Sequence, residues 1–320
     1  MLYKFKYLFL GFVIFAIFTG GCSNGRVNGA EDNNDINYYR FTDALGNEVV
    51  LEKKPEKVVS LVGSYAETWI LSGGNLVGVT DDVEKENRME IRDDIQVVGT
   101  IKDPNVEEIL VLEPDFVLLT PDLESHLKIA ETLEKTNIAY AFFKVEEFED
   151  YLEMLNTCTD ITNRKDLYKE NGLKVKKEIE DILYKIDNET KESPTVLFIR
   201  AFSSGAKAKK DDNITCTMLD NLATINIAAQ HPSLLEDLSI EEIIEEDPDF
   251  ILVTTMGDEQ KALEGLKNGI EKNPAWSNLS AIKNDRYILL PKDLFHYKPN
   301  NRWGESYEYL AKIIYPEIFE

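Results

Sequence analysis

Hydrophobic positions along this chain come in short, nearly solid runs and in one long helical stripe, and their order sets the architecture. Lys57–Val62 (KVVSLV), Phe116–Leu119 (FVLL), Thr195–Arg200 (TVLFIR) and Phe250–Val253 (FILV) have the length and composition of buried parallel strands. Between Arg164 and Ile186 the pattern changes. Val175, Ile179, Ile182, Leu183 and Ile186 recur at helical spacing on an otherwise charged stretch, which predicts a long helix with one apolar stripe. Asn188–Ser193 breaks the stripe and Pro194 opens the next run.

Two of the runs belong to an internal repeat. Asn105–Thr120 (NVEEILVLEPDFVLLT) aligns without a gap on Ser239–Thr254 (SIEEIIEEDPDFILVT), with eight of sixteen positions identical. Each copy predicts a two-turn helix stopped by Pro114 or Pro248, then a buried strand. The chain therefore reads as α/β, with two related lobes joined by a single long helix that limits their relative motion. The predicted boundaries are a first lobe at 38–157, a connecting helix at 158–190 and a second lobe at 191–320.

At the start, Lys4 and Lys6 precede an apolar run from Tyr7 to Phe18, followed by Thr19, Gly20, Gly21 and Cys22. A charged start, a short apolar core and small residues make residues 1–21 a secretory signal; the run is too short to span a bilayer. Small residues before a cysteine match the bacterial lipoprotein box, although Thr19 stands where Leu is usual. Cys22 is thus the expected acylated N-terminus and membrane anchor, and residues 22–37, poor in apolar side chains, the expected tether.

Composition then narrows the function. The 320 residues carry 35 Lys and Arg against 59 Asp and Glu, a formal charge of −24. Such a surface repels nucleic-acid phosphates and anionic lipid head groups. Three cysteines are too few for a disulfide scaffold or a four-thiolate zinc site, and Cys158 and Cys216 read as small buried hydrophobes.

Ligands of open α/β sheets sit outside the carboxyl ends of strands. The candidate residues there are Ser64, Tyr65, Thr120 and Lys144 in the first lobe, and Arg200, Ser203, Met256, His296 and Tyr297 in the second. Arg200 is the sharpest, because a guanidinium holds a carboxylate or hydroxamate oxygen in bidentate fashion. Tyr65, Met256 and Tyr297 fit loop packing equally well. His126, His231 and His296 lack metal-ligand spacing, so no metal site and no intrinsic cofactor are expected. No nucleophile elbow, phosphate loop or acid–base pair marks a catalytic centre, and no catalytic residue is assigned.

The repeats also carry paired glutamates. Asn105 with Glu108, and Ser239 with Glu242, have the spacing of a capping box. That leaves Glu107 and Glu241 as helix-end charges or as equivalent contacts for a symmetric partner.

With these features assembled, the chain resembles the solute-binding lipoproteins that feed iron siderophores, haem or cobalamin to bacterial ABC importers. The matching segments are FTDALGNEVVLEKKPEKVVSLVGSYAETWILSGG (41–74), VVGTIKDPNVEEILVLEPDFVLLTP (97–121), LSIEEIIEEDPDFILVTTMG (238–257) and PAWSNLSAIKNDRYILLP (274–291). The last segment, 296–319, is similar to a Gram-positive subgroup. The resemblance implies two Rossmann-like lobes on a rigid helix, the class III periplasmic-binding-protein fold, with the ligand in the cleft between them. It implies that Glu107 and Glu241 dock onto arginines of a permease dimer, which works with its ATPase. The expected ligand is an iron chelate, ferric siderophore or haem, with cobalamin as the alternative. A bare metal ion receptor or a secreted α/β enzyme is a further alternative. The expected protein is a monomer on the outer face of the membrane, held by its lipid anchor.

Overall fold

The computed structural model describes residues 38–190, 192–210, 213–236 and 238–319; the signal, Cys22 and the tether lie outside the described residues. An antiparallel hairpin, Tyr39–Thr42 with Glu48–Leu51, leads into the first lobe. Its sheet consists of β1 (Val58–Ser60), β2 (Leu76–Val79), β3 (Gln96–Val97), β4 (Phe116–Leu119) and β5 (Tyr140–Phe142), in the order β3-β2-β1-β4-β5. All four pairings are parallel. Every residue of β1 and β4 is buried, which is why both appear in the sequence as solid rather than alternating runs.

The second sheet consists of β6 (Thr195–Phe202), β7 (Gly205–Ala208), β8 (Ile225–Asn226), β9 (Phe250–Thr255) and β10 (Tyr287–Leu289). Its order is β7-β6-β9-β10, with β8 pairing parallel to the start of β6 and β7 antiparallel to its end. Both β6 and β9 run two residues beyond the predicted ends, because they pair in register through Ala201 and Thr255.

The shared Pro-Asp-Phe of the repeat has a structural reason. Asp115 accepts from the backbone N–H of Glu56 at 3.0 Å and of Lys57 at 2.9 Å, just before β1. Asp249 accepts from the N–H of Thr195 at 2.8 Å at the start of β6. In each lobe this aspartate ties the repeat's strand to the opening strand of the same sheet. The repeat helices, α2 (Val106–Val111) and α5 (Ile240–Glu246), precede it. Both stop before the prolines, at Glu113 (φ 48°) and Asp247 (φ 40°), whose left-handed backbone ends the helical path.

One predicted boundary is corrected. Cys158 lies inside α3 (Phe148–Thr162), a first-lobe helix, so the connecting rod begins at Lys165 and not at residue 158. It runs through a π-helical turn, Lys169–Leu173, into α4 (Lys174–Glu189). There Gly172 lets the rod close on α3, since a Cβ would meet the Leu152 side chain at 3.0 Å. The last helix is tied to the second lobe, Asn221 donating to the Tyr307 hydroxyl at 2.7 Å and the Tyr315 hydroxyl to the Leu222 carbonyl at 2.7 Å. After β10 the chain returns across the cleft, and α6 (Trp303–Ile314) packs on α4. The Trp303 and Phe148 rings meet at 6.0 Å between centroids. One apolar cluster accordingly runs from Trp69 in the first lobe through Ile182 of α4 to Phe198 in the second.

Candidate functional site

The carboxyl ends of the two sheets face a cleft of about 520 Å³. Its first-lobe wall is acidic: Asp122 follows β4, and Glu146, Glu147 and Asp150 lie at the start of α3. Its other wall carries Arg200 from β6, with His296 and Lys298 from the segment that returns towards the first lobe. A larger cavity, about 660 Å³, lies against the hairpin and the amino ends of β4 and β5. That is the wrong end of a parallel sheet for a ligand.

Two of the four acids are engaged in the helix start. Glu147 and Asp150 form a reciprocal capping box on α3, with the Asp150 carboxylate accepting from the N–H of Glu146 at 2.7 Å. Glu146 pairs with Lys144 at 2.8 Å. On the opposite wall, burial and then the nearby Arg200 and Lys292 charges push the His296 imidazole down to about 4. His296 is therefore neutral at neutral pH, and its buried Nδ1 has no hydrogen-bond partner in the structure. Burial also pulls Lys298 down, opposed by Asp122.

Of the nine candidate residues, the structure brings Arg200 and His296 into the cleft lining. Ser64 and Tyr65 are corrected to interior positions: both are buried, and the Tyr65 hydroxyl donates to the Phe143 carbonyl at 2.7 Å. The start of α1 (Gly63–Leu71) is closed by a carboxylate from further along the chain. Gly63 N–H donates to Asp82 at 2.6 Å, and a Cβ at residue 63 would lie 2.8 Å from that oxygen. Thr120 is buried, its N–H donating to His126 Nδ1 at 3.2 Å. Lys144 is exposed beside the cleft; Ser203 and Met256 are exposed away from its lining. Tyr297 turns to a separate small cavity. Lys298, in the same candidate loop as His296, also lines the cleft, whereas Asp122, the α3 acids, Asn213 and Thr217 were not anticipated. The Glu147-x-x-Asp150 spacing ahead of Tyr151, Leu152 and Leu155 is the one local signal that marks the α3 start.

Glu107 and Glu241 are both exposed on the first turns of α2 and α5. The caps are half-boxes. Asn105 accepts from Glu107 and Glu108 N–H at 3.0 and 3.3 Å, and Ser239 Oγ accepts from Glu242 N–H at 3.3 Å. The reciprocal side-chain bonds expected of Glu108 and Glu242 are not formed. Glu242 instead meets His231 Nδ1 at 2.5 Å and Ser233 Oγ at 3.0 Å, and Glu241 accepts from Ser239 Oγ at 3.4 Å. His231 Nε2 faces Glu246 at 3.1 Å, so both ring nitrogens are engaged in bracing α5.

Two parallel-sheet lobes on a helical rod, with a polar cleft at their strand ends, define a bilobed solute-binding protein. The chain belongs to the periplasmic binding protein family, whose profile matches residues 58–294. It is 28% identical over 326 residues to the uncharacterized ABC transporter substrate-binding lipoprotein YvrC of Bacillus subtilis, covering 95% of each chain. It is 23% identical to the Fe(3+)-citrate-binding protein YfmC of the same organism, covering 95% of this chain and 93% of that one. Among solved structures, Staphylococcus aureus IsdE complexed with heme superposes with a TM-score of 0.66 at 18% identity, covering 81% of this chain and 98% of IsdE. The fold is the class III arrangement expected from the sequence, and the function class is solute binding for an ABC importer.

Proposed function

We propose that the cleft captures a polar ferric chelate bearing carboxylate groups and that the protein delivers it to a permease dimer powered by an ATPase. The observation that carries this reading is the composition of the walls. Among the described residues of the lining, Val145 and Ile214 are the apolar side chains and the His296 imidazole is the one ring. A porphyrin needs broad apolar walls to offset its desolvation; a hydroxycarboxylate chelate needs cations and hydrogen-bond donors. Arg200 and Lys298 supply the cations, and the acidic wall suits amine or hydroxyl groups on the same ligand. The relative named for Fe(3+)-citrate binding makes ferric citrate the first probe.

Calorimetric titration of the purified protein with ferric citrate tests this. Removing the desolvated charge partner, Arg200→Ala, costs ~2–5 kcal/mol, so affinity should fall more than tenfold with melting nearly unchanged. Unaltered affinity removes Arg200 from the site, and a stoichiometric Soret band on haem addition overturns the polar-chelate reading. Corrin absorption on adding cobalamin would do the same.

The same reading places the chain on the outer face of a Gram-positive membrane, held by acylated Cys22, as a monomer whose Glu107 and Glu241 meet permease arginines. Among the described residues no helix is long and apolar enough to cross a membrane. Palmitate should label the wild-type chain and not Cys22→Ser.

A further inference from the structure

Residues 296–299 form a strap between the helical turn Lys292–Phe295 and the 3-10 turn Asn300–Arg302. Its side chains alternate between two surroundings. His296 and Lys298 line the cleft, whereas Tyr297 and Pro299 line a separate cavity of about 40 Å³ together with Arg88. Arg88 belongs to the first lobe, 210 residues before Lys298, and its side chain is 7% exposed. Its guanidinium donates to the Lys298 carbonyl at 2.6 Å and to the carboxylates of Glu86 and Glu67 at 2.7 and 3.0 Å. It also lies over the Tyr297 ring, 5.6 Å from the centroid. Beside it the buried Asn300 donates to the Ser64 carbonyl at 2.9 Å and to Glu67 at 2.7 Å.

We propose that Arg88 is a positioning residue for ligand capture: from the first lobe it clamps the strap in the one orientation that turns Lys298 and His296 into the cleft. The proposal rests on the cleft reading above. Arg88 does not line the cleft and touches no ligand; it acts on the backbone and on the odd-numbered face of the strap. Glu67 and Glu86 fix the guanidinium in turn, so its donors are directed before any ligand arrives. A lysine at 88 keeps the charge and loses the fork that reaches two carboxylates and a carbonyl together.

The test uses ferric citrate calorimetry and amide hydrogen exchange on the intact mature chain. Lys298→Ala should weaken ferric citrate at least tenfold, and Arg88→Gln should do nearly as much. The double variant should fall well short of the sum of the two losses, because Arg88 acts largely through that side chain. Arg88→Lys should recover part of the loss. Without ligand, amides of 297–302 should exchange at least tenfold faster in Arg88→Gln while those of β1 and β4 are unchanged. Additive losses in the double variant, or unchanged strap exchange, overturn the proposal. Should Arg88→Gln fail to fold for want of a partner to its buried acids, Arg88→Met with Glu67→Gln and Glu86→Gln removes all three charges together. The same outcomes then decide. If ferric citrate does not bind the wild type, or Lys298→Ala leaves its affinity unchanged, the cleft reading fails; strap exchange then decides the clamp independently.

Discussion

Four residues after Glu107 in the first lobe stands Val111, 77% exposed; four residues after Glu241 in the second stands Glu245. One position further on, Leu112 packs half-buried against the first-lobe core, whereas its counterpart Glu246 faces outward to His231. Behind these differences the two copies agree. Ile109 and Ile243 are both fully buried, and the strand-start aspartates make equivalent bonds. The comparison separates two kinds of constraint within one repeat. Positions that close the sheet and the paired acids of the first turn are alike in both lobes, whereas the second turn has diverged in charge. The cleft walls differ in the same way, one acidic and one carrying the cations.

The largest expected effect tests whether the outer faces are equivalent to a partner. Glu107→Lys with Glu241→Lys should abolish radioiron uptake while leaving ferric citrate binding intact, since each like-charge mismatch costs several kcal/mol. Singly, Glu107→Lys should cost more uptake than Glu241→Lys, because Glu245 remains beside the second site. Equal wild-type uptake in the double variant would mean that these acids are helix-end charges only.

A second test compares the half-buried His296 with the fully buried His126 of the first lobe. His296 is held at about 4 against an ordinary 6.5. The unfolded chain therefore takes up the proton first as pH falls. Stability from this group is fully present above about 6.5 and is lost towards pH 4, by as much as ~3 kcal/mol. His126 in the first lobe is lowered by burial as well and adds a loss of the same sign. Urea unfolding at pH 7 and pH 4.5 should show a smaller difference for His296→Gln than for wild type. An unchanged difference would show that His296 titrates normally.

Next come the strand ties. Asp115→Ala and Asp249→Ala each remove charge-assisted bonds to backbone N–H groups and should each cost ~1.5–3 kcal/mol in urea unfolding. A cost confined to one lobe would break the equivalence of the repeats. The smallest effect is expected from Glu246→Leu, which installs the first-lobe residue. The pair it removes is partly exposed, so the loss should stay below ~1 kcal/mol in thermal melts. A loss above twice that would make the His231 brace a real support of the second lobe.

The strands were legible because they are buried on both faces: the run at Phe116–Leu119 needs no adjustment, and those at Thr195 and Phe250 needed two residues each. Arg200 and His296 were reachable from the strand-end rule alone. Ser64 and Tyr65 satisfied that same rule and turned inward, because the carboxylate that occupies the start of α1 comes from Asp82, nineteen residues on. Nothing local to Gly63 encodes that visit. Asp122 and the α3 acids were missed for a related reason. They reach the cleft through the loop after β4 and through a helix cap, and their facing the other lobe depends on packing between segments distant in sequence.

The alternation of the strap restricts how this protein can be remodelled, by selection or by design. Substitution at 296 or 298 changes what the cleft offers a ligand and leaves Tyr297 and Pro299 against Arg88. Gaining or losing one residue there would exchange the two faces. It would deliver an aromatic and a proline to the cleft and bury a lysine beside Arg88. New ligand preferences are thus open to point replacement along this segment and closed to single-residue insertion or deletion, so its length should be held fixed when a library of altered receptors is built.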